Sequence, residues 1–267
     1  MRDDVSTAVG PMSRRSFLAG STAALTLLAG SDEAQSKTPR DAFEVVRLRQ
    51  GRLTGAESSA VLAFQAQLKL RTSITVAPSS PAMTPDDSRL RVRPFALLRG
   101  TRDFSFSTVQ RARLKRWLEL GGFLLVDNAG TSAPAAPFDK AVRREITAMF
   151  PRKRLARVSP EHVLYRSFYR LDYPAGRVIH RPHVEGLALG RRFGVILNHN
   201  DLFGAFARDA AGRYLSIPRP GGETQREMAY RFAINLVMYA MCLHYKDDQV
   251  HLDYLLHRRK WKVRPPR

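Results

Sequence analysis

Cysteine is almost missing from this chain. Cys242 stands alone among 267 residues, so no intrachain disulfide can form and no cysteine-based metal cluster can be built. Acidic residues are also scarce, 24 against 44 lysines and arginines, which leaves a formal net charge of +20. No Gly-rich phosphate loop is present, because Gly221-Gly222 lacks the Lys-Ser/Thr ending such a loop needs. The spacing His180-x-x-His183, split by Pro182, lacks the H-E-x-x-H pattern of a helical zinc site. There is no repeat of 20–50 residues and no low-complexity tract.

What is there begins with an apolar fraction of 44%, enough for a substantial core. The length suits one large domain, or one domain with additions. A surface this basic attracts polyanions: nucleic acid, anionic lipid head groups or acidic glycans. The charge is spread along the chain and arginine dominates over lysine. A GC-rich genome produces the same bias, and the even spread argues against a dedicated nucleic-acid module.

Near the amino terminus, Ser13-Arg14-Arg15-Ser16-Phe17-Leu18 precedes an apolar run from Leu18 to Gly30. Paired arginines before such a run read as a twin-arginine export signal, with Arg14 and Arg15 as the targeting residues. The pattern resembles that motif closely and lacks only its usual final lysine. The run falls short of the roughly 20 apolar residues a spanning helix needs. Cleavage near Ala29 or Ala34 fits, and an uncleaved membrane anchor stays open. A lipid anchor is excluded, since no cysteine follows Leu27-Leu28-Ala29-Gly30. The expected location is the periplasm or beyond. Loss of residues 1–34 would raise the charge to +21, so the basic character belongs to the mature protein.

The expected organisation is a signal over 1–34, a linker over 35–42, an α/β domain over 43–245 and a basic extension over 246–267. Phe43–Leu48, Ser73–Ala77, Phe95–Leu98, Phe123–Val126 and Phe193–Leu197 read as strands, several of them wholly apolar. Helices are expected over Thr54–Leu70, with Val61, Phe64 and Leu68 facing inward, and from Ser107 or Thr108 to the stop at Gly121-Gly122. On that second helix Val109, Ala112, Trp117 and Leu120 recur at helical spacing. Two further helices are expected over Phe138–Phe150 and Glu223–Leu243. The middle, 152–192, reads as irregular. This order predicts an α/β fold: an open, mostly parallel sheet with helices on both faces.

A resemblance attaches to particular residues: Gly121-Gly122-Phe123-Leu124-Leu125-Val126-Asp127, Phe138-Asp139, Arg143-Arg144-Glu145-Ile146 and Glu161 to Tyr169. It continues in Glu185-Gly186, Asn200-Asp201-Leu202 and Asn235 to Ala240. As an ordered set these resemble the bacterial family called domain of unknown function 4159, over roughly residues 43 to 259. The resemblance implies a flavodoxin-like fold related to class I glutamine amidotransferases and trehalose-utilisation-type proteins. It implies no established reaction. Members often carry a histidine where Arg99-Gly100-Thr101-Arg102 stands, and a second acid where Asn128 stands.

In an open α/β sheet, ligands dock outside the carboxyl ends of the strands. Asp127 and Asn128 hold that position after the Phe123–Val126 strand, where related amidotransferases place a cysteine on a sharp turn. Cys242 lies on the apolar last helix instead, so cysteine-based glutamine hydrolysis is disfavoured. Asp127, Asn128, His162, Glu185, His199, Asn200 and Asp201 all fall near expected strand ends. A carboxylate and an imidazole in one crevice would serve acid–base work or hold a divalent ion. The competing reading is a set of caps and turns without catalysis. The aromatic set Tyr165, Phe168, Tyr169 and Tyr173 suits core packing better than a stacking platform.

Three functions remain. The first is a non-catalytic binding or scaffold domain for a small ligand or an envelope protein. The second is a hydrolase using Asp127 with His162 or His199, with or without a metal. The third is a binder of anionic lipid or cell-wall polymer, since export makes nucleic acid an awkward target. No cofactor can be named from the sequence.

Overall fold

The computed structural model describes residues 42–50, 55–130 and 137–258, the stretch beyond Met241 by its backbone. The expected signal segment with Arg14 and Arg15, and the expected helix start at Thr54, lie outside the described residues. Among the described residues, no helix is long and apolar enough to cross a membrane.

Among the described residues, seven strands form one sheet. They are β1 (Val46–Leu48), β2 (Ala82–Met83), β3 (Phe95–Gly100), β4 (Phe123–Asn128), β5 (Leu155–Arg157), β6 (Glu185–Leu189) and β7 (Arg192–Asn198). Their spatial order is β2-β1-β3-β4-β7-β6-β5. The first five in that order pair in parallel, while β6 and β5 run antiparallel to their neighbours. β4 lies near the middle and is buried along its whole length, as expected of an apolar strand covered on both faces.

Among the described residues, the sheet is covered by α1 (Gly55–Arg71), α2 (Thr108–Glu119), α3 (Pro137–Met149) and α4 (Gly222–Arg258). One core joins Phe64 and Leu68 of α1 and Phe232 and Ile234 of α4 to Phe95, Leu97, Phe123, Leu125 and Ile196. The other joins Leu114, Trp117 and Leu118 of α2 and Val142 and Ile146 of α3 to Leu98, Leu124, Val126, Val195 and Leu197. Alternate residues of one strand thus serve opposite cores, the two-residue period of a strand made visible. Helices on both faces of a mostly parallel sheet are what the sequence predicts.

Several details differ. The expected strand Ser73–Ala77 is reduced to one bridge between Val76 and Phe43. Pro78 and Pro81 follow, and proline cannot donate to a ladder; pairing resumes only at Ala82. The expected irregular middle contains β5 and β6. β6 and β7 form a hairpin joined through Gly190, whose φ of 68° a side chain would resist. Gly186, inside β6, lies where a β-carbon would stand 2.5 Å from the ring of Phe193. A strand glycine of this kind marks close approach.

α2 is capped by Ser107, in a reciprocal box with Gln110. Its inward face is Leu114, Trp117 and Leu118, whereas Val109 and Leu120 of the expected stripe are exposed. Trp117 sets the rotation. Its indole N–H donates to the Arg93 carbonyl at 2.8 Å, and its ring lies over Gly122, where a β-carbon would meet ring atoms at 2.3 Å. α4 runs past the expected end at Leu243 to Arg258. Tyr165 is buried and stacks on Phe232, so that ring packs in the core.

Candidate functional site

The carboxyl ends of β4 and β7 carry two ionic clusters, one on each face of the sheet. The first centres on Asp127, which is fully buried. Its Oδ1 accepts the Leu202 N–H and the Asn198 side-chain amide, both at 2.8 Å. Its Oδ2 accepts the Phe203 N–H at 2.9 Å. Arg99, its register partner on β3, approaches to 3.5 Å. Arg99 also donates to Asp201 at 2.6 Å, and Arg177 closes the chain on the other oxygen of Asp201. Asp201 has a φ of 50°. Gly204 makes room for its carboxylate, since a β-carbon there would lie 2.1 Å from Oδ2.

Burial, then the charge of Asp201, pushes the Asp127 carboxyl up to about 6, while Arg99 and the donated hydrogen bonds pull the other way. Asp127 is therefore an anchor. It ties the end of β4 to the chain leaving β7, and its oxygens are spent on two backbone N–H groups and one amide.

The second cluster sits on the α2/α3 face. Arg143 of α3 forks between two carboxylates, Asp139 one turn earlier at 2.8 Å and Glu185 of β6 at 2.6 Å. His199 Nε2 meets Glu185 Oε2 at 2.8 Å. The other ring nitrogen, Nδ1, faces Asp139 Oδ1 across 3.9 Å and has no hydrogen-bond partner. The Glu185 carboxyl is held down at about 2, first by its hydrogen bond to His199 and then by Arg143, against the cost of burial. An ionised Glu185 accepts only, so His199 carries its proton on Nε2 and presents a lone pair at Nδ1 when neutral.

The remaining expected residues scatter. Asn200 uses its whole side chain on the backbone of 174–181: Oδ1 accepts the N–H groups of His180 and Arg181, and Nδ2 donates to the carbonyls of Pro174 and Arg181. Asn128 accepts the Gly130 N–H in a turn. His162 lies at the other end of β7. Its ring packs against Phe193 and Tyr239, and Nδ1 accepts the Leu164 N–H at 3.1 Å. Five residues of strand, about 16 Å, separate Phe193 from Asn198, which bonds to Asp127. The paired Asp127–His162 of the hydrolase reading is not assembled. His199 faces away from Asp127, because neighbouring residues on a strand point to opposite faces and Asn198 takes the Asp127 side.

A groove of about 650 Å³ opens at the amino-terminal edge of the sheet, within the usual range for ligand pockets. It lies between the single turn Ser88–Val92 and α2, beneath Pro94 and Gly122. Leu90, Trp117, Leu120 and Met241 give it apolar walls, and Arg91, Arg93, Arg113 and Arg116 line it. Among the described residues, Arg113 and Arg116 have no acidic partner. Asp87, also on the lining, is spent on Arg89. Sequence reasoning overlooked this groove because its residues lie far apart in the chain and on the wrong edge for the strand-end rule. It also passed over Asp139, Arg143, Arg99 and Arg177 as partners. A buried Asp139 between Phe138 and Val142, with an arginine four residues on, was the available signal.

No curated protein matches the chain. The family model described as Domain of unknown function (DUF4159) matches residues 42–241, the span that holds the sheet, both ionic clusters and the groove. With three quarters of its length so matched, the chain belongs to the DUF4159 family.

Proposed function

We propose that this is an exported, non-catalytic binding protein whose ligand is an anion with an apolar body, held in the groove between Ser88–Val92 and α2. The observation that carries the reading is the pairing of Arg113 and Arg116, both exposed and without acidic partners among the described residues, with the Trp117 and Leu90 wall. Guanidinium groups bind phosphate and carboxylate in a fork, and the apolar wall takes the rest. The binding reading is also supported by the strand ends, where the oxygens of Asp127 and the amide of Asn200 are committed to backbone groups.

The strand order β2-β1-β3-β4-β7 follows the 2-1-3-4-5 order of flavodoxin-like sheets, which supports an amidotransferase-like ancestry without the nucleophile. Export rests on Arg14-Arg15 and the run after them. A reporter fused after residue 42 should reach the periplasm with Arg14-Arg15 and stay in the cytoplasm with both changed to lysine.

Trp117 supplies the readout for binding. In a Trp261→Phe background, dodecyl phosphate should change its fluorescence saturably, and dodecyl maltoside should not. Arg113→Glu with Arg116→Glu should weaken dodecyl phosphate at least about tenfold, the ~1.4 kcal/mol of a lost charge-assisted contact. Equal binding of both detergents, or no effect of the double variant, would refute the reading.

A further inference from the structure

The Arg143 cluster contains one buried ring nitrogen that no hydrogen bond satisfies. His199 is 2% exposed, yet Nδ1 finds no hydrogen-bond partner. The ring is not loose. Nε2 is fixed on Glu185 at 2.8 Å, and this fixes where the Nδ1 lone pair points. Asp139 Oδ1 stands 3.9 Å from Nδ1, too far for a hydrogen bond. A buried ring nitrogen facing a carboxylate with nothing bonded to it is unfavourable unless a cation lies between them.

Two ligand atoms on one zinc-class ion, each bound at about 2.0–2.1 Å, stand roughly 3–3.5 Å apart. The observed gap needs only a small side-chain adjustment to meet this. A carboxylate on the far ring nitrogen is how proteins orient a metal-ligating histidine and raise its basicity. Asp139, Glu185 and His199 offer ligand atoms within 4.8 Å of one another. An imidazole nitrogen with carboxylate oxygen suits a borderline cation such as Zn²⁺ better than Mg²⁺, which prefers oxygen alone and keeps its waters.

We propose that His199 Nδ1 and Asp139 form a divalent transition-metal site on the α2/α3 face of the sheet, with Glu185 positioning the imidazole and water completing the coordination. Arg143 is the built-in competitor. Its guanidinium holds Asp139 through Nε and Nη2 and Glu185 through Nη1 and Nη2, so it neutralises charge that the ion would otherwise see. The site is separate from the groove, which lies at the other edge of the sheet, and neither depends on the other.

The test uses the mature chain and Zn²⁺ alone. Calorimetry should show one ion per chain at a site that Mg²⁺ does not fill. His199→Gln and Asp139→Asn should each weaken that binding at least tenfold, with circular dichroism confirming that the fold persists. X-ray absorption of the zinc-loaded protein should show one imidazole nitrogen among oxygen ligands. Arg143→Gln should tighten binding several-fold, the opposite of what loss of a purely structural residue would do. Unchanged zinc binding in both ligand variants, no zinc binding at all, or weaker binding in Arg143→Gln would overturn the assignment.

Discussion

The two ionic clusters lie near the carboxyl ends of β4 and β7 on opposite faces of the sheet, and they differ in access to water. Asp127 is wholly enclosed and its partners Arg99 and Arg177 are mostly so, whereas Arg143 keeps 38% of its side chain exposed. Burial pushes the Asp127 carboxyl up, while the hydrogen bond from His199 and the partly hydrated Arg143 hold the Glu185 carboxyl down. Two carboxylates met by arginine therefore behave differently in the two clusters. The enclosed set fastens the fold, and the second keeps its guanidinium within reach of water. A buried ion pair is weak evidence for stability, yet removing one member is costly.

The largest effect expected of this difference is on Asp127→Asn. The new amide nitrogen would face a backbone N–H at Leu202 or Phe203, because both carboxylate oxygens accept one. Urea unfolding should show a loss of about 3 kcal/mol. A loss under 1 kcal/mol would put the two clusters on a par.

Acid should separate them next. Asp127 has a folded-state pKa above its unfolded value, so the native state takes up the proton first. Its ionisation weakens the fold as pH rises from about 4 to 6. Glu185 behaves in the opposite sense. Its folded value near 2 lies below the unfolded one, so its contribution is present above about pH 4.5 and is lost as pH falls toward 2. Unfolding free energies measured from pH 7 to pH 2.5 should show Glu185→Gln flattening the acid limb. Asp127→Asn should remove the decline between pH 4 and 6. Parallel curves for wild type and both variants would erase the distinction.

The smallest effect is expected for Arg143→Gln, about 1 kcal/mol or less by thermal or chemical unfolding, since water replaces part of what the guanidinium supplies. A loss as large as that of Asp127→Asn would show the second cluster to be equally structural.

Much of the fold was legible because the strands around β4 are wholly apolar and the helices keep a 3.6-residue period. Phe123–Val126 could be read as a central strand and Asp127 as its terminal residue from local pattern alone. The antiparallel strands β5 and β6 were not legible, being short and interrupted by a glycine whose purpose is the ring of Phe193. The rotation of α2 was misjudged because Val109 and Leu120 look like core residues until Trp117 is seen bonded to Arg93. Glu185 and His199 could be named as site residues. Their pairing, and the exclusion of Asp127 from it, depends on which face of the sheet each side chain takes, and that needs the register of β6 against β7. Long-range ion pairs such as Arg99–Asp201 leave no trace in spacing.

Gly122 carries a consequence of its own. Because it has no side chain, the Trp117 indole settles against the backbone at the head of β4, and the space above the ring becomes the depth of the groove. A single methyl group there would lift the indole off the Arg93 carbonyl and into that space. The volume available to a bound molecule is thus set by an atom the chain omits, and a family member bearing alanine at this point would offer a shallow dish in place of a cleft.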